Sequence, residues 1–183
     1  SILLPLCGVD LDIATVLLAM IPFFTILFTP LCGALVDKVG KATLWMIVGS
    51  AMVLVSHLII TFAPQGEPMY AYIAIALLGI GYSLVPSAMW PSVPKIIPEK
   101  NLGTAYSLIY WVQNLGMWAV PIYVGRIFKK EITEAGNISQ EITAAIHAEY
   151  VFIFLGIVAI ATAMMLYFSS KHHPEFQLDE PAQ

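Results

Sequence analysis

The chain has 183 residues, 59% of them apolar and only 11% charged, with a mean hydropathy of +0.83; a soluble domain has about 45–50% and about 25%. Eight Lys and Arg against twelve Asp and Glu leave a net charge of −4 with no basic run, which excludes a nucleic-acid-binding surface. Lipid, not water, is the solvent such a composition suits.

The charges cluster and leave five uncharged windows, 13–36, 42–66, 68–94, 101–125 and 150–170. Each exceeds the ~20 residues that a helix rising ~1.5 Å per residue needs to cross a ~30 Å hydrocarbon core. The windows are about twice as long as a membrane strand and do not alternate in polarity, so they predict an all-α membrane protein with five transmembrane helices.

In the first crossing Thr25 lies at mid-depth, with Pro22 and Pro30 on either side. A threonine there either bonds its own backbone or offers a hydroxyl to a ligand. Cys7 and Cys32 fall at opposite ends of this crossing and cannot form a disulfide. The turn that follows reads Gly33-Ala34-Leu35-Val36-Asp37-Lys38-Val39-Gly40-Lys41. Gly33 would let two helices approach closely, Asp37 would suit the positive end of a helix dipole, and Lys38 and Lys41 would hold the turn at an anionic cytoplasmic face.

The second crossing carries Ser56-His57; the histidine either packs with a single hydrogen bond or titrates. The third is centred on Gly81 and Tyr82, with Gly79, Ser83 and Ser87 as a ridge of small residues suited to close helix contact. Pro86, Pro91 and Pro94 each remove a backbone donor and predict a bend. Trp90 then reads either as the plug of a gate or as an interfacial tryptophan on a static kink.

The fourth crossing is centred on Gln113 with Asn114 beside it. An amide without a partner in hydrocarbon costs about 2–7 kcal/mol, so both must face protein, water or substrate. Ser107, Tyr110, Asn114, Trp118 and Pro121 form one stripe at helical spacing, and Tyr106, Tyr110, Gln113 and Met117 an adjacent one. Amides between aromatic walls could hydrogen-bond a ligand; the alternative is interhelical glue. The stretch from Arg126 to Glu149, with Lys129, Lys130, Glu131, Glu134 and Glu141, predicts a solvated surface helix or loop before the fifth crossing. Asn137-Ile138-Ser139 fits a glycosylation acceptor on an outer face. If the turn at Asp37 is cytoplasmic, five basic residues lie inside (Lys38, Lys41, Lys95, Lys100, Lys171) and three outside (Arg126, Lys129, Lys130), which favours a cytoplasmic tail 171–183.

The turn Gly33 to Lys41 resembles the loop signature of the major facilitator superfamily. That helix two crossings later, around Gly79 to Pro91, lacks the embedded arginine common in the N-terminal half of such carriers. The resemblance therefore implies helices 8–12 of a twelve-helix major facilitator fold, a C-terminal fragment covering residues 1–183. Ser56-His57, Leu77 to Leu84, Trp90-Pro91, Ile97-Pro98-Glu99, Leu102 to Tyr106 and Gln113 to Gly116 further resemble the major facilitator superfamily domain-containing protein 1 type, lysosomal dipeptide uniporters, and its bacterial relatives. The resemblance implies alternating-access transport of dipeptides or small peptides, with no cofactor. It implies a substrate site drawn from Gln113, Asn114, Tyr110, Tyr82, Trp90, Ser87, Tyr106 and Thr25, and a conformational motif at Gly33, Asp37, Lys38, Gly40 and Lys41.

The implied partners are the lipid bilayer, a small-molecule substrate, the N-terminal half of the same polypeptide and an accessory membrane subunit, with no nucleic acid. A carrier of organic anions or sugars is the alternative within the superfamily; a non-transporting assembly subunit is the alternative of another class. No catalytic constellation can be built from the five windows, so an enzyme is not expected. Short loops favour a bacterial inner membrane, with the lysosomal membrane in a eukaryote.

Overall fold

The computed structural model describes residues 3–132, 137–176 and 178–180, and all regular structure among the described residues is helical. In chain order the helices are α1 (Leu3–Leu6), α2 (Leu11–Val39), α3 (Ala42–Phe62), α4 (Pro68–Ile96), α5 (Leu102–Glu131) and α6 (Ile138–His172). Single 3-10 turns lie at Glu99–Asn101 and Pro174–Phe176. The five expected crossings correspond to α2 through α6.

Local chemistry sets the ends. Asp10 caps α2 by accepting from the Asp12 N–H at 2.9 Å, and Asn137 caps α6 by accepting from the Gln140 N–H at 3.0 Å. Between α2 and α3 the turn is only two residues: Gly40 at φ 70°, ψ −148°, then Lys41 at φ 58°, ψ 42°. Gly40 occupies a region closed to residues with a Cβ, so the turn requires a glycine there.

Four helices, α2, α3, α4 and α6, are long and apolar enough to cross a membrane. At 30 residues, or about 45 Å, α5 is long enough, but it does not reach that apolarity. Its amides, tyrosines, glycines and the terminal run Arg126 to Glu131 dilute it. The stretch from Arg126 to Glu149 is also different from the expected separate surface element. Its two sides are continuations of α5 and α6, which run on past the charge-free windows; Glu134 lies outside the described residues.

Helix α3 packs between α4 and α6, and α2 packs against α4. Glycine permits the closest crossings. A Cβ on Gly81 would stand 2.8 Å from the Gly49 carbonyl oxygen, joining α4 to α3 backbone to backbone, and one on Gly79 would meet Phe24 of α2 at 3.2 Å. At Gly156 the neighbour is Leu54, 3.1 Å away. Gly33, by contrast, has no atom within 4 Å of such a Cβ, so the expected close approach at that residue is not made among the described residues. One buried cluster, including Cys32, Val36, Met46, Leu84 and Ala88, fills one end of the bundle. A second, around Leu4, Cys7, Ala14 and Ile75, fills the other. Burial pushes the Cys7 thiol pKa up.

The tail folds back onto the bundle. After α6 the chain turns back through Pro174–Phe176, where the backbone of Glu175 and then the imidazole of His173 hold the Glu175 carboxyl below its usual range. Leu178 is then 2% exposed, and Asp179 reaches the start of α3. Its Oδ1 accepts from the Thr43 N–H at 3.1 Å and the Thr43 hydroxyl at 2.7 Å, while its carbonyl accepts from the Lys41 N–H at 2.8 Å.

Candidate functional site

Three of the residues singled out in the sequence come together where α4 meets α5. The Trp90 ring stacks on Tyr110 with centroids 5.0 Å apart and lies 5.8 Å from Tyr106. Pro94 has no N–H, so the Trp90 carbonyl loses the partner four residues on that a helix ordinarily supplies. The Tyr106 hydroxyl donates to that carbonyl at 3.4 Å. The proline and the tyrosine are thus two parts of one device, which fastens the start of α5 to the broken end of α4.

Above this cluster α5 stands almost free. None of its residues is buried, and it touches the rest of the bundle chiefly through α6. Gln113 and Asn114 are exposed at mid-helix. The Asn114 amide donates to the Tyr110 carbonyl of its own helix at 2.7 Å, which leaves its oxygen as an acceptor for another molecule. Tyr82, 60% exposed on α4, presents its ring outward.

The other predicted positions are engaged elsewhere. Ser87 is buried and donates to the Thr29 carbonyl of α2 at 3.1 Å and to Ser83 of its own helix at 2.7 Å. Thr25 donates to the Pro22 carbonyl at 2.7 Å. Ser83 and Gly79 complete the small-residue ridge, the Ser83 hydroxyl bonding the Gly79 carbonyl at 2.8 Å. Asp37, Lys38 and Lys41 are exposed at one end of the bundle.

Residues 1–121 match the sequence pattern of the Major Facilitator Superfamily. The chain belongs to that superfamily. Lysosomal dipeptide transporter MFSD1 of Mus musculus is 43% identical over 99 residues, which is 54% of this chain and 20% of that protein. The Homo sapiens protein of the same name is 41% identical with the same coverage, and the Gallus gallus one 40% identical over 54% of this chain and 22% of its own length. The match spans about a fifth of the length of these curated relatives. No solved structure shows a significant match to the chain. A superfamily member with four such apolar helices is an integral multi-pass membrane protein of a transporter family.

Two acidic residues make contacts that leave no local mark in the sequence. Glu149 lies one residue outside the fifth charge-free window, yet its Oε2 meets His57 Nδ1 at 2.7 Å, the two side chains 17% and 14% exposed. His57 also stacks on Phe152 at 5.1 Å. The pair joins α3 to α6 on the wall of a cavity of about 240 Å³ whose other lining residues, among them Leu4, Ile75 and Phe128, are apolar. The i to i+92 separation gave no local signal, although a charge at a window's edge facing a histidine was a usable hint. Asp179 is the other. A groove of about 1060 Å³ between α5 and α6, lined by Tyr123, Arg126, Lys130 and Phe154 among others, contains none of the predicted site residues. Among the described residues no cluster of three His, Cys, Asp or Glu could hold a metal.

Proposed function

We propose that this chain is helices 8–12 of a twelve-helix carrier, with α5 as its fourth crossing, and that the complete protein moves dipeptides or small peptides by alternating access. One observation carries the reading: α5 buries no residue of its own while holding Gln113 and Asn114 exposed at mid-helix. A helix of that length with amides at its centre needs a second bundle and an aqueous cleft to satisfy it. The N-terminal half of the same polypeptide supplies both. Gln113, Asn114, Tyr110 and Tyr82 then border the cleft, and Trp90 with Tyr106 closes its cytoplasmic end. Ser87 and Thr25, held by other groups, belong to the wall supporting it. The printed names of the relatives support dipeptides as cargo and the lysosomal membrane as the location in a eukaryote; in a bacterium the location is the inner membrane. An accessory membrane subunit fits the exposed outer ends of α5 and α6.

Uptake of a labelled dipeptide into vesicles holding the full-length carrier tests this. Unlabelled dipeptides should compete and sugars or organic anions should not. Gln113→Ala should lower uptake about tenfold, the weight of one lost hydrogen bond to substrate at ~1.4 kcal/mol, with expression unchanged. Competition by sugars alone would discard the peptide reading.

A further inference from the structure

We propose that Asp179 is a positioning residue for the cytoplasmic gate, and that Leu178 to Glu180 form a latch tying the ends of α3, α4 and α6 together. The argument starts at the two-residue turn. Lys41 takes the N-cap position of α3 in a left-handed conformation and makes no side-chain cap, so the first N–H groups of that helix lack the usual Ser, Thr, Asp or Asn acceptor. Asp179 supplies it from 136 residues away in the chain.

The same residue engages a second helix. Its Oδ2 accepts from the Ser170 hydroxyl near the end of α6 at 3.3 Å. One residue on, the Glu180 carbonyl accepts from Lys95 Nζ at 3.1 Å, on the last turn of α4. Leu178, 2% exposed, seats the segment. A carboxylate at a helix N-terminus with three donors on it is a directed contact, unlike the nonspecific docking of a polar tail.

The α4 end is where restraint matters. Pro91 and Pro94 remove the donors that would bond the Ser87 and Trp90 carbonyls, so this end has fewer backbone bonds than an ordinary helix. Lys95 follows it directly, and Trp90 with its tyrosine neighbours precedes it. Holding Lys95 therefore holds the aromatic cluster at the α4–α5 junction, and releasing it lets the last turns of α4 move.

The consequence for transport rests on the carrier reading; the latch itself does not. In the full-length carrier, Ser92→Cys places a reporter at a residue 3% exposed on α4. A small water-soluble thiol reagent is applied, and the label is assigned to position 92 by mass spectrometry, apart from Cys7 and Cys32. Adding Asp179→Ala should raise labelling of position 92 about tenfold or more as the helix end opens. It should lower the maximal dipeptide transport rate about threefold while the half-saturating concentration changes less than about twofold, as expected of a gating step. Asp179→Asn keeps the acceptor oxygen and should return both readings most of the way. Thr43→Val, which removes one donor and keeps the side-chain shape, should give an intermediate labelling rate and guards against misfolding of the alanine variant. Labelling unchanged in all three variants overturns the latch. Labelling that rises while the maximal rate stays constant overturns its link to the gate and leaves the carrier reading standing.

Discussion

His57 and Glu149 show what one polar contact means in an apolar wall. Among the described residues their cavity has no other charged lining, so each compensates the other. Removing one partner leaves a half-buried polar group without its hydrogen bond, at a cost of about 1–3 kcal/mol, whereas replacing both with apolar residues is often nearly neutral. Thermal unfolding of the full-length carrier in detergent should therefore rank His57→Leu and Glu149→Leu well below the wild type, with the double variant above either single one. A double variant as unstable as the worse single one would show that the contact is carried by stacking on Phe152 instead. The sequence left His57 either packed with a single hydrogen bond or titrating; the partner's identity was hidden because a charge-free window ends where the charge is, and Glu149 ended it.

At the scale of the helices, glycine contact geometry separates positions that look alike in sequence. A Cβ at Gly81 would meet the Gly49 carbonyl oxygen at 2.8 Å, and a backbone atom cannot step aside. At Gly156 the nearest atom is Leu54 Cδ1 at 3.1 Å, which a rotamer change can move, with Leu54 Cβ at 3.2 Å and Cα at 3.4 Å behind it, so the crowding is milder than at Gly81. Gly81→Ala should thus destabilise the full carrier by about 1–3 kcal/mol and Gly156→Ala by clearly less, read as the shift in unfolding midpoint. Equal shifts would mean that the α3–α4 crossing is looser than drawn. The helices themselves were legible because hydrocarbon excludes charge: four windows became helices apolar enough to cross, and their starts were placed within two residues for α2, α3 and α4. The outer ends were not, because a helix that leaves the hydrocarbon tolerates Lys129, Lys130 and Glu131 on α5 and Glu141 to Glu149 on α6 without stopping. The aromatic cluster at Trp90 was half legible: spacing put Tyr106 and Tyr110 on one face, but only packing brought α4 against it.

For the whole molecule, contact fixes which ends share a side, and charge alone bears on which side that is. The basic count of five inside to three outside is a modest preference under the positive-inside rule. The latch adds a geometric constraint, since Asp179 on Lys41 and Thr43 and Glu180 on Lys95 require the α2–α3 turn, the end of α4 and the tail to share one side. Glu131 and His147, 3.2 Å apart, mark the opposite side. Sequence could supply the charge count alone; the pairing of a tail with a turn more than a hundred residues earlier follows from the fold and has no periodicity to betray it. If the side shared by the turn, the α4 end and the tail is the cytoplasmic one, as the basic count favours, the start of α6 faces the extracellular or lumenal medium and its end faces the cytoplasm. Ser139→Cys, exposed in the first turn of α6, should then react in intact cells or sealed vesicles with a membrane-impermeant thiol reagent applied from the outer side. His172→Cys, exposed in the last turn, should react only after permeabilisation. The reverse pattern would invert the bundle, and with it the placing of Trp90 and the latch at the cytoplasmic end of the pathway.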